Sequence, residues 1–221
     1  TEKTTQMLSS ILDIYVITSN SPEFTKYDIF ARLNKGAEPL RVNEIRRAIY
    51  HSNVTSAISA YIERHIGKDA PQELAEEYKK HFSQNDIKRF EDYGRFYRSI
   101  AFYVRSDREE GIVRNYNSRP RDMINGVLQC IQEKSVILEI ADVEKLIERT
   151  MKLLSSFEGS DNRDYLVDAC IPYAIECWDK LQAKAEAMMA DASIANTLVK
   201  SPGTTSNVNA RLKRVKEIIE G

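Results

Sequence analysis

The sequence contains few residues that break helices or cross-link a chain. It has 8 Gly and 6 Pro among 221 residues, a composition that favours helices over a turn-rich sandwich. Its cysteines, Cys130, Cys170 and Cys177, are odd in number and form no C-x-x-C pair, so we expect neither a disulfide framework nor a thiolate zinc site. A reducing, cytoplasmic compartment is therefore expected.

An excess of one charge and long apolar runs are also missing. The 32 basic and 33 acidic residues give a net charge of -1, which argues against a globally basic nucleic-acid binder but leaves a local patch open. Apolar runs such as 14–17 and 136–138 are far shorter than the roughly 20 residues that cross a bilayer, so no membrane partner is expected. The chain starts at Thr1 without a charged-then-apolar leader, and we expect no secretory signal.

Helical periodicity dominates the rest of the chain. Apolar residues recur at steps of three and four in four segments, which run from Ile87 to Val104, from Val136 to Leu154, from Leu166 to Leu181 and from Val208 to Ile219. Each pattern predicts an amphipathic helix that needs a packing partner, so we expect a mainly α, multi-helix array. Pro172 lies inside the third segment, where it either kinks the helix or marks its true start. We favour a kink, because the apolar pattern continues in phase beyond it.

One segment near the N-terminus departs from this periodicity. Residues 12–19 are rich in β-branched and aromatic side chains, which predicts a short strand or the remnant of a hairpin. The alternative is a single apolar helix over residues 4–16. A lone strand cannot satisfy its own backbone groups, and no pairing strand is evident downstream. We therefore expect this chain to be the C-terminal part of a longer protein, with an upstream lobe as its partner.

The most specific stretch covers residues 28–50. It predicts a helix ended by Gly36, a tight connection with Pro39, and a second helix with Glu44 in its first turn. Asn34 has two interpretations, because an Asn near a helix end also satisfies backbone groups at a turn. The residues that carry a family resemblance within this stretch are Phe30, Arg32, Leu33, Asn34, Gly36, Leu40, Glu44, Arg46 and Ala48.

Their pattern resembles the middle of the ParB/sulfiredoxin-like domain of unknown function. That domain forms the N-terminal part of GmrSD-type modification-dependent restriction endonucleases and related phage-defence proteins. The helical remainder of the chain is similar in layout, but only residues 30–48 are specific. The chain departs from the family at Ala37, where a second glycine is usual, and at Arg41, where a small polar residue is usual.

The resemblance implies a division into residues 1–82, a remnant of the ParB-like lobe, and residues 83–221, a helical C-terminal domain. Family members carry a D-G-Q-Q-R-type motif linked to nucleotide hydrolysis, and this chain lacks it. The resemblance therefore implies no catalytic residue and no cofactor in this chain, and a nucleoside triphosphate only in the full-length protein. The chain is therefore expected to lack catalysis by itself, and whether it is a fragment of an NTPase or a DNA endonuclease stays open.

Four residues of the motif are candidates for a position beside that nucleotide site: Arg32, Asn34, Glu44 and Arg46. A planar guanidinium suits phosphate oxygens, but Glu44 and Arg46 would equally serve to lock two short helices together. No metal site is expected, because the three histidines are scattered and lack H-E-x-x-H spacing.

A basic stretch lies between Lys88 and Arg121. Nine basic residues, eight of them Arg, face five acidic ones, and four tyrosines are interleaved. Arginine with aromatic residues suits phosphate contact and base stacking, whereas the alternative is an ordinary solvated helix face. The candidates for nucleic-acid binding are Arg114, Arg119 and Arg121, the last two in the polar loop 116–121.

Two further features lie near the C-terminus: a possible phosphate-binding turn and a basic helix face. Gly203 and Thr204 precede the last helix as a phosphate-binding turn would, but without the full Walker spacing an ordinary loop is favoured. On that helix, Arg211 and its basic neighbours are expected on a solvated face.

Two functional hypotheses follow from the sequence. In the first, the chain is the helical portion of a restriction-type phage-defence protein that supports a nucleotide-hydrolysing lobe and contacts duplex DNA or a nuclease partner. In the second, it is a helical protein-interaction or dimerisation module, such as a homo-oligomer, without nucleic-acid binding. A free-standing small-molecule enzyme is disfavoured, because no nucleophile–base pair or metal cluster is evident.

Overall fold

The computed structural model describes residues 40–221 and the isolated residues Val16, Ser21, Thr25 and Ile29. This part of the chain holds eleven α-helices and one two-stranded sheet, so the prediction of a mainly α fold is confirmed. The predicted strand at residues 12–19, apart from Val16, and the turn at Gly36 lie outside the described residues.

Helices follow one another closely along the described chain. They are α1 (Val42–Ile49), α2 (Asn53–Ile66), α3 (Gln72–His81), α4 (Gln84–Lys88), α5 (Glu91–Arg105), α6 (Pro120–Gln132), α7 (Ile140–Ser156), α8 (Arg163–Cys170), α9 (Trp178–Ala190), α10 (Ala192–Val199) and α11 (Thr205–Glu220). Between α5 and α6, β1 (Ser106–Asp107) pairs antiparallel with β2 (Ile112–Val113).

One hydrophobic core joins these helices. Helix α7 packs against α2, α3, α5 and α8, while α11 packs against α8, α9, α10 and β2. The predicted apolar positions Tyr93, Tyr97 and Ile100 of α5 are all buried in this core. Residues 41–221 form one compact unit, and the predicted boundary between residues 82 and 83 falls inside it.

The predicted capping box at Ser83 and Asp86 is confirmed. The Ser83 hydroxyl accepts the Asp86 amide N–H, and the Asp86 carboxylate accepts the Ser83 amide N–H at 2.9 Å. The helix that begins there is short, however, because Phe90 takes a left-handed backbone with a φ of 55° and separates α4 from α5. The apolar pattern from Ile87 therefore spans two helices.

The predicted kink at Pro172 is wrong, because two separate helices flank this proline. Helix α8 ends at Cys170, a single 3₁₀ turn covers Ile171–Tyr173, and α9 starts at Trp178. Proline has no N–H for the helical ladder, and its ring clashes with the preceding turn. The Arg149 guanidinium donates to the backbone carbonyls of Ala174 and Ile175, which satisfies acceptors after the turn. Side chains stay buried through the turn, so the apolar pattern continues without a helix.

Candidate nucleic-acid interface

The loop between β2 and α6 has an unusual backbone. Asn115, Asn117 and Ser118 adopt positive φ angles of 59°, 44° and 55°. Asn tolerates this region better than most residues, because its side chain can bond locally. The buried Tyr116 anchors the loop, since its ring packs against Phe102 and its hydroxyl donates to the Gly203 carbonyl at 2.9 Å.

This loop contacts the beginning of α11. The Thr205 amide donates to the Ser118 hydroxyl oxygen at 2.9 Å, and the two hydroxyls of these residues lie 3.0 Å apart. Loop 116–121 and the turn at residues 201–206, which the sequence presents as separate candidates, are therefore one surface. Because α6 and α11 both begin here, the positive ends of two helix dipoles lie at this surface.

Beneath this surface lies a buried group of charges, the Asp168 cluster, formed by Arg95, Arg98 and Asp168. The Asp168 carboxylate accepts from Arg95 at 2.6 Å and from Arg98 Nε at 2.7 Å. Burial alone would raise the pKa of Asp168, but Arg98 and Arg95 hold it below its usual value. The same contact affects the pKa of Arg98 in the opposite direction. Burial alone would lower it, but Asp168 raises it above its usual value.

Tyr165 connects this cluster to a third arginine. The Arg98 and Arg211 guanidinium carbons lie 5.6 Å and 5.2 Å from the Tyr165 ring centre. Arg211 is only 1% exposed, and it donates to the Thr197 and Pro202 carbonyls instead of to a carboxylate of the described chain. The expectation that Arg211 lies on a solvated face is therefore wrong. Burial lowers its pKa, although Asp168 opposes the effect.

A cavity of about 420 Å³, the Tyr165 cavity, opens at this place. Its walls are Arg98, Tyr116, Ser118, Pro120, Tyr165 and the turn residues Ser201, Pro202, Gly203 and Thr204. Among the described residues no carboxylate lines it, and the guanidinium groups of Arg95, Arg98 and Arg211 outnumber the nearby Asp164 and Asp168 carboxylates. The cavity is therefore electropositive, with an aromatic ring in its wall.

Two of the three predicted nucleic-acid residues, Arg119 and Arg121, are exposed neighbours of Pro120, which lines this cavity. Neither side chain is part of the cavity wall, so the two arginines belong to its rim only through their adjacency to Pro120. The Arg119 side chain makes no hydrogen bond or ion pair with the described residues. Arg114 lies at the far end of the loop, where its guanidinium is paired with Asp107 at 2.5 Å. Its role in nucleic-acid binding stays a prediction.

Of the four motif residues predicted beside a nucleotide site, the structure describes Glu44 and Arg46, and neither of them lines the Tyr165 cavity. Arg32 and Asn34 lie outside the described residues. Arg46 is 4% exposed, and its guanidinium donates to Asn125 at 2.8 Å and to the Arg121 carbonyl at 3.3 Å, so it joins α1 to α6. Glu44 accepts from Arg89 at 3.2 Å.

Sequence reasoning did not identify Tyr165, and it misplaced Arg211. A signal for Arg211 was present, because it is three residues after Val208 and four before Val215 on the apolar side of α11. Tyr165 carried no such signal: its importance arises from two arginines of other helices.

Comparisons with family models, with curated proteins and with solved structures found no match to this chain. None of the described helices has the length and apolar character needed to cross a membrane. Within residues 40–221, no three His, Cys, Asp or Glu side chains come together in a way that would hold a metal ion.

Proposed function

We propose that this chain is the helical portion of a restriction-type phage-defence protein. In that protein it supports a nucleotide-hydrolysing lobe and contacts the phosphate backbone of duplex DNA through the Tyr165 cavity and its rim. The resemblance of residues 30–48 to the ParB-like domain supports the first half of this proposal. The second half is carried by one observation, the electropositive cavity at which α6 and α11 both begin.

The chemistry of the surface favours backbone contact over base reading. Phosphate oxygens accept hydrogen bonds from arginine side chains and from N–H groups at helix starts, and such contacts position a protein without reading sequence. Arg119 and Arg121 extend from the rim, where a duplex can reach them. The buried guanidinium groups beneath them keep the local potential positive despite the chain's net charge of -1.

Fluorescence anisotropy with a labelled duplex tests this proposal. We expect weak binding of the chain at low salt that declines steeply between about 50 and 200 mM, because each neutralised phosphate releases counterions. The double substitution Arg119→Ala/Arg121→Ala should weaken binding several-fold and make the salt dependence shallower. Circular dichroism and a melting curve establish that this variant is folded.

The matched control is Lys180→Ala/Lys184→Ala, which removes the same charge from the exposed side of α9. This control should bind DNA as the parent chain does. Absence of binding at low salt, or equal losses in both double variants, would show that the Tyr165 cavity is not a DNA interface.

One observation favours the second hypothesis, a dimerisation module. Ile137 is 79% exposed and lines a cavity of about 390 Å³, whose wall combines apolar residues such as Val54 and Ile131 with polar ones such as Gln132 and Lys134. A second copy of the chain would cover such a surface. Light scattering should then show a mass that rises with concentration, and Ile137→Asp should abolish the rise without altering DNA binding.

A further inference from the structure

A second cavity, distinct from the proposed DNA surface, lies between α1, α2 and α5. We call it the Arg47 cavity; its volume is about 490 Å³, within the range of small-molecule sites. Arg47 and Glu44 of α1 stand on one side, Ser56 of α2 on another, and Phe90 and Tyr97 provide aromatic surface. None of these residues lines the Tyr165 cavity.

Arg47 is held in position without using its hydrogen-bond donors. Its guanidinium carbon lies 4.7 Å from the Phe90 ring centre and 5.2 Å from the Tyr93 ring centre. These two contacts hold the guanidinium group in place, yet its N–H groups make no hydrogen bond or ion pair with the described residues. A planar fork of free donors is suited to the oxygens of an anionic ligand.

Tyr97 supplies a second unused donor. Its side chain is 1% exposed, and its hydroxyl makes no hydrogen bond with the described residues. The hydroxyl oxygen keeps a small accessible surface. Because Tyr97 lines the Arg47 cavity, a ligand in the cavity can reach this oxygen. A buried hydroxyl without a partner costs free energy, which a ligand oxygen would recover.

The protonation of Tyr97 suits a donor. Burial raises the pKa of its hydroxyl, Tyr93 adds to the effect, and Arg47 and Arg46 oppose it. Tyr97 therefore keeps its proton at neutral pH, and its neutral phenol can donate a hydrogen bond to a ligand oxygen.

The acidic residue of the cavity is already engaged. The Glu44 carboxylate accepts from Arg89 Nη1 at 3.2 Å and from the Arg41 amide N–H. Its charge is thus offset by a partner of its own, whereas the charge of Arg47 is not. An anion entering the cavity would meet one unpaired cation, a phenol donor and the exposed Ser56 hydroxyl.

We propose that the Arg47 cavity binds a small phosphorylated molecule, with its phosphate on the Arg47 guanidinium and the Tyr97 hydroxyl and its organic body against the Phe90 and Tyr97 rings. Three tetrahedral oxygens match the two donor groups better than a single carboxylate does, and the aromatic wall requires a ligand larger than the bare ion. This site is independent of the proposed DNA interface.

Isothermal titration calorimetry with AMP, adenosine, ribose 5-phosphate and inorganic phosphate tests the proposal on the whole chain. AMP should bind with a measurable heat and adenosine should not, because it lacks the phosphate. Inorganic phosphate should bind more weakly than AMP, because it leaves the aromatic wall empty. A 5′-phosphorylated hexanucleotide tests whether the ligand is instead the phosphorylated end of a nucleic-acid strand. If it binds more tightly than AMP, the cavity is not a small-molecule site.

Three variants locate the binding. Arg47→Ala should raise the Kd of AMP by about tenfold or more, and Arg47→Lys should recover only part of it because the fork is lost. Tyr97→Phe keeps the ring and should raise the Kd by about threefold to tenfold through loss of one hydrogen bond. The matched control is Arg64→Ala, since Arg64 also stacks on an aromatic ring, Tyr61 at 5.3 Å, but lies outside the cavity.

The proposal is overturned if AMP does not bind, if adenosine binds as tightly as AMP, or if Arg47→Ala and Arg64→Ala have equal effects. Melting curves of each variant ensure that a loss of binding is measured on folded protein. Because the DNA experiment uses Arg119 and Arg121, failure of either proposal leaves the other intact.

Discussion

Arg46 and Arg47 are adjacent in the sequence but belong to two different regions of the molecule. Arg46 points into the packed interior and is 4% exposed, with donors on Asn43 and Asn125. Arg47 lines a cavity, and its N–H groups have no acceptor among the residues that the structure describes. One step along a helix turns a side chain by about 100°, and that rotation alone separates a structural arginine from an available one.

The same contrast holds for the basic stretch at residues 88–121. Arg95 and Arg98 are bound to Asp168 inside the helical unit, whereas Arg119 is exposed at the surface. A buried charge that loses its partner is strongly destabilising, while an exposed one contributes little to stability. Interior arginines should therefore control the free energy of unfolding, and rim arginines should control binding.

The largest effect is expected at Asp168. Asp168→Ala would leave Arg95, with a side chain 5% exposed, and Arg98 without their shared carboxylate. We expect the free energy of unfolding to fall by about 3–5 kcal/mol, as for other buried pairs that lose one partner. Urea denaturation followed by circular dichroism measures it.

Asp142→Ala provides the control for this experiment. Asp142 also pairs with a cation, Lys145 at 3.1 Å, but both side chains are substantially exposed. Its removal should cost less than about 1 kcal/mol. If the two substitutions destabilise the chain equally, the distinction between interior and rim charges is wrong.

Arg46→Ala and Arg47→Ala form the next comparison. Arg46→Ala removes buried hydrogen bonds to Asn43, Asn125 and the Arg121 carbonyl, so we expect a loss of about 2–3 kcal/mol. Arg47→Ala removes only the stacking on Phe90 and Tyr93, worth about 1 kcal/mol or less. Parallel urea titrations compare them, and a reversed order would contradict the placement of the two side chains.

The sequence predicts those features of the structure that arise within one helix, but not those that depend on contacts between helices. The mainly α fold and the capping box at Ser83 are local, because they arise from spacing within one helix, and the sequence predicts them. At Pro172 the sequence offers a kink or a helix start and favours the kink, whereas the structure has a break between two helices. Arg149 of α7 stabilises this break by donating to the carbonyls of Ala174 and Ile175. Periodicity alone does not reveal a compensating contact from another helix.

The candidate sites show the same limit. Arg119 was identified because it lies in a polar, basic loop. The sequence does not predict the Tyr165 cavity, because this cavity forms only where α5, α8 and α11 meet at the Tyr165 ring. Sequence indicates which residue types are present, and tertiary packing decides which of them remain available.

His81 provides an interior group whose charge is set by pH. Its side chain is 7% exposed, Nε2 lies 3.0 Å from the Ser155 hydroxyl, and Nδ1 has no partner among the described residues. Burial lowers the pKa of His81, and Arg163 and Lys80 lower it further, while Glu158 and Glu77 oppose them. The neutral ring is therefore the form that the folded chain favours.

The smallest expected effect concerns this ring, because a change of pH alters its charge without removing an atom. The unfolded chain has a His pKa near 6.5 and the folded chain a lower one, so the unfolded state takes up the proton first as the pH falls. Stability should be complete above about pH 6.5 and decline below it. His81→Gln, which cannot titrate, should make this decline shallower in urea titrations between about pH 7.5 and 5.5. Identical slopes for the parent chain and His81→Gln would mean that His81 is not held neutral by the interior.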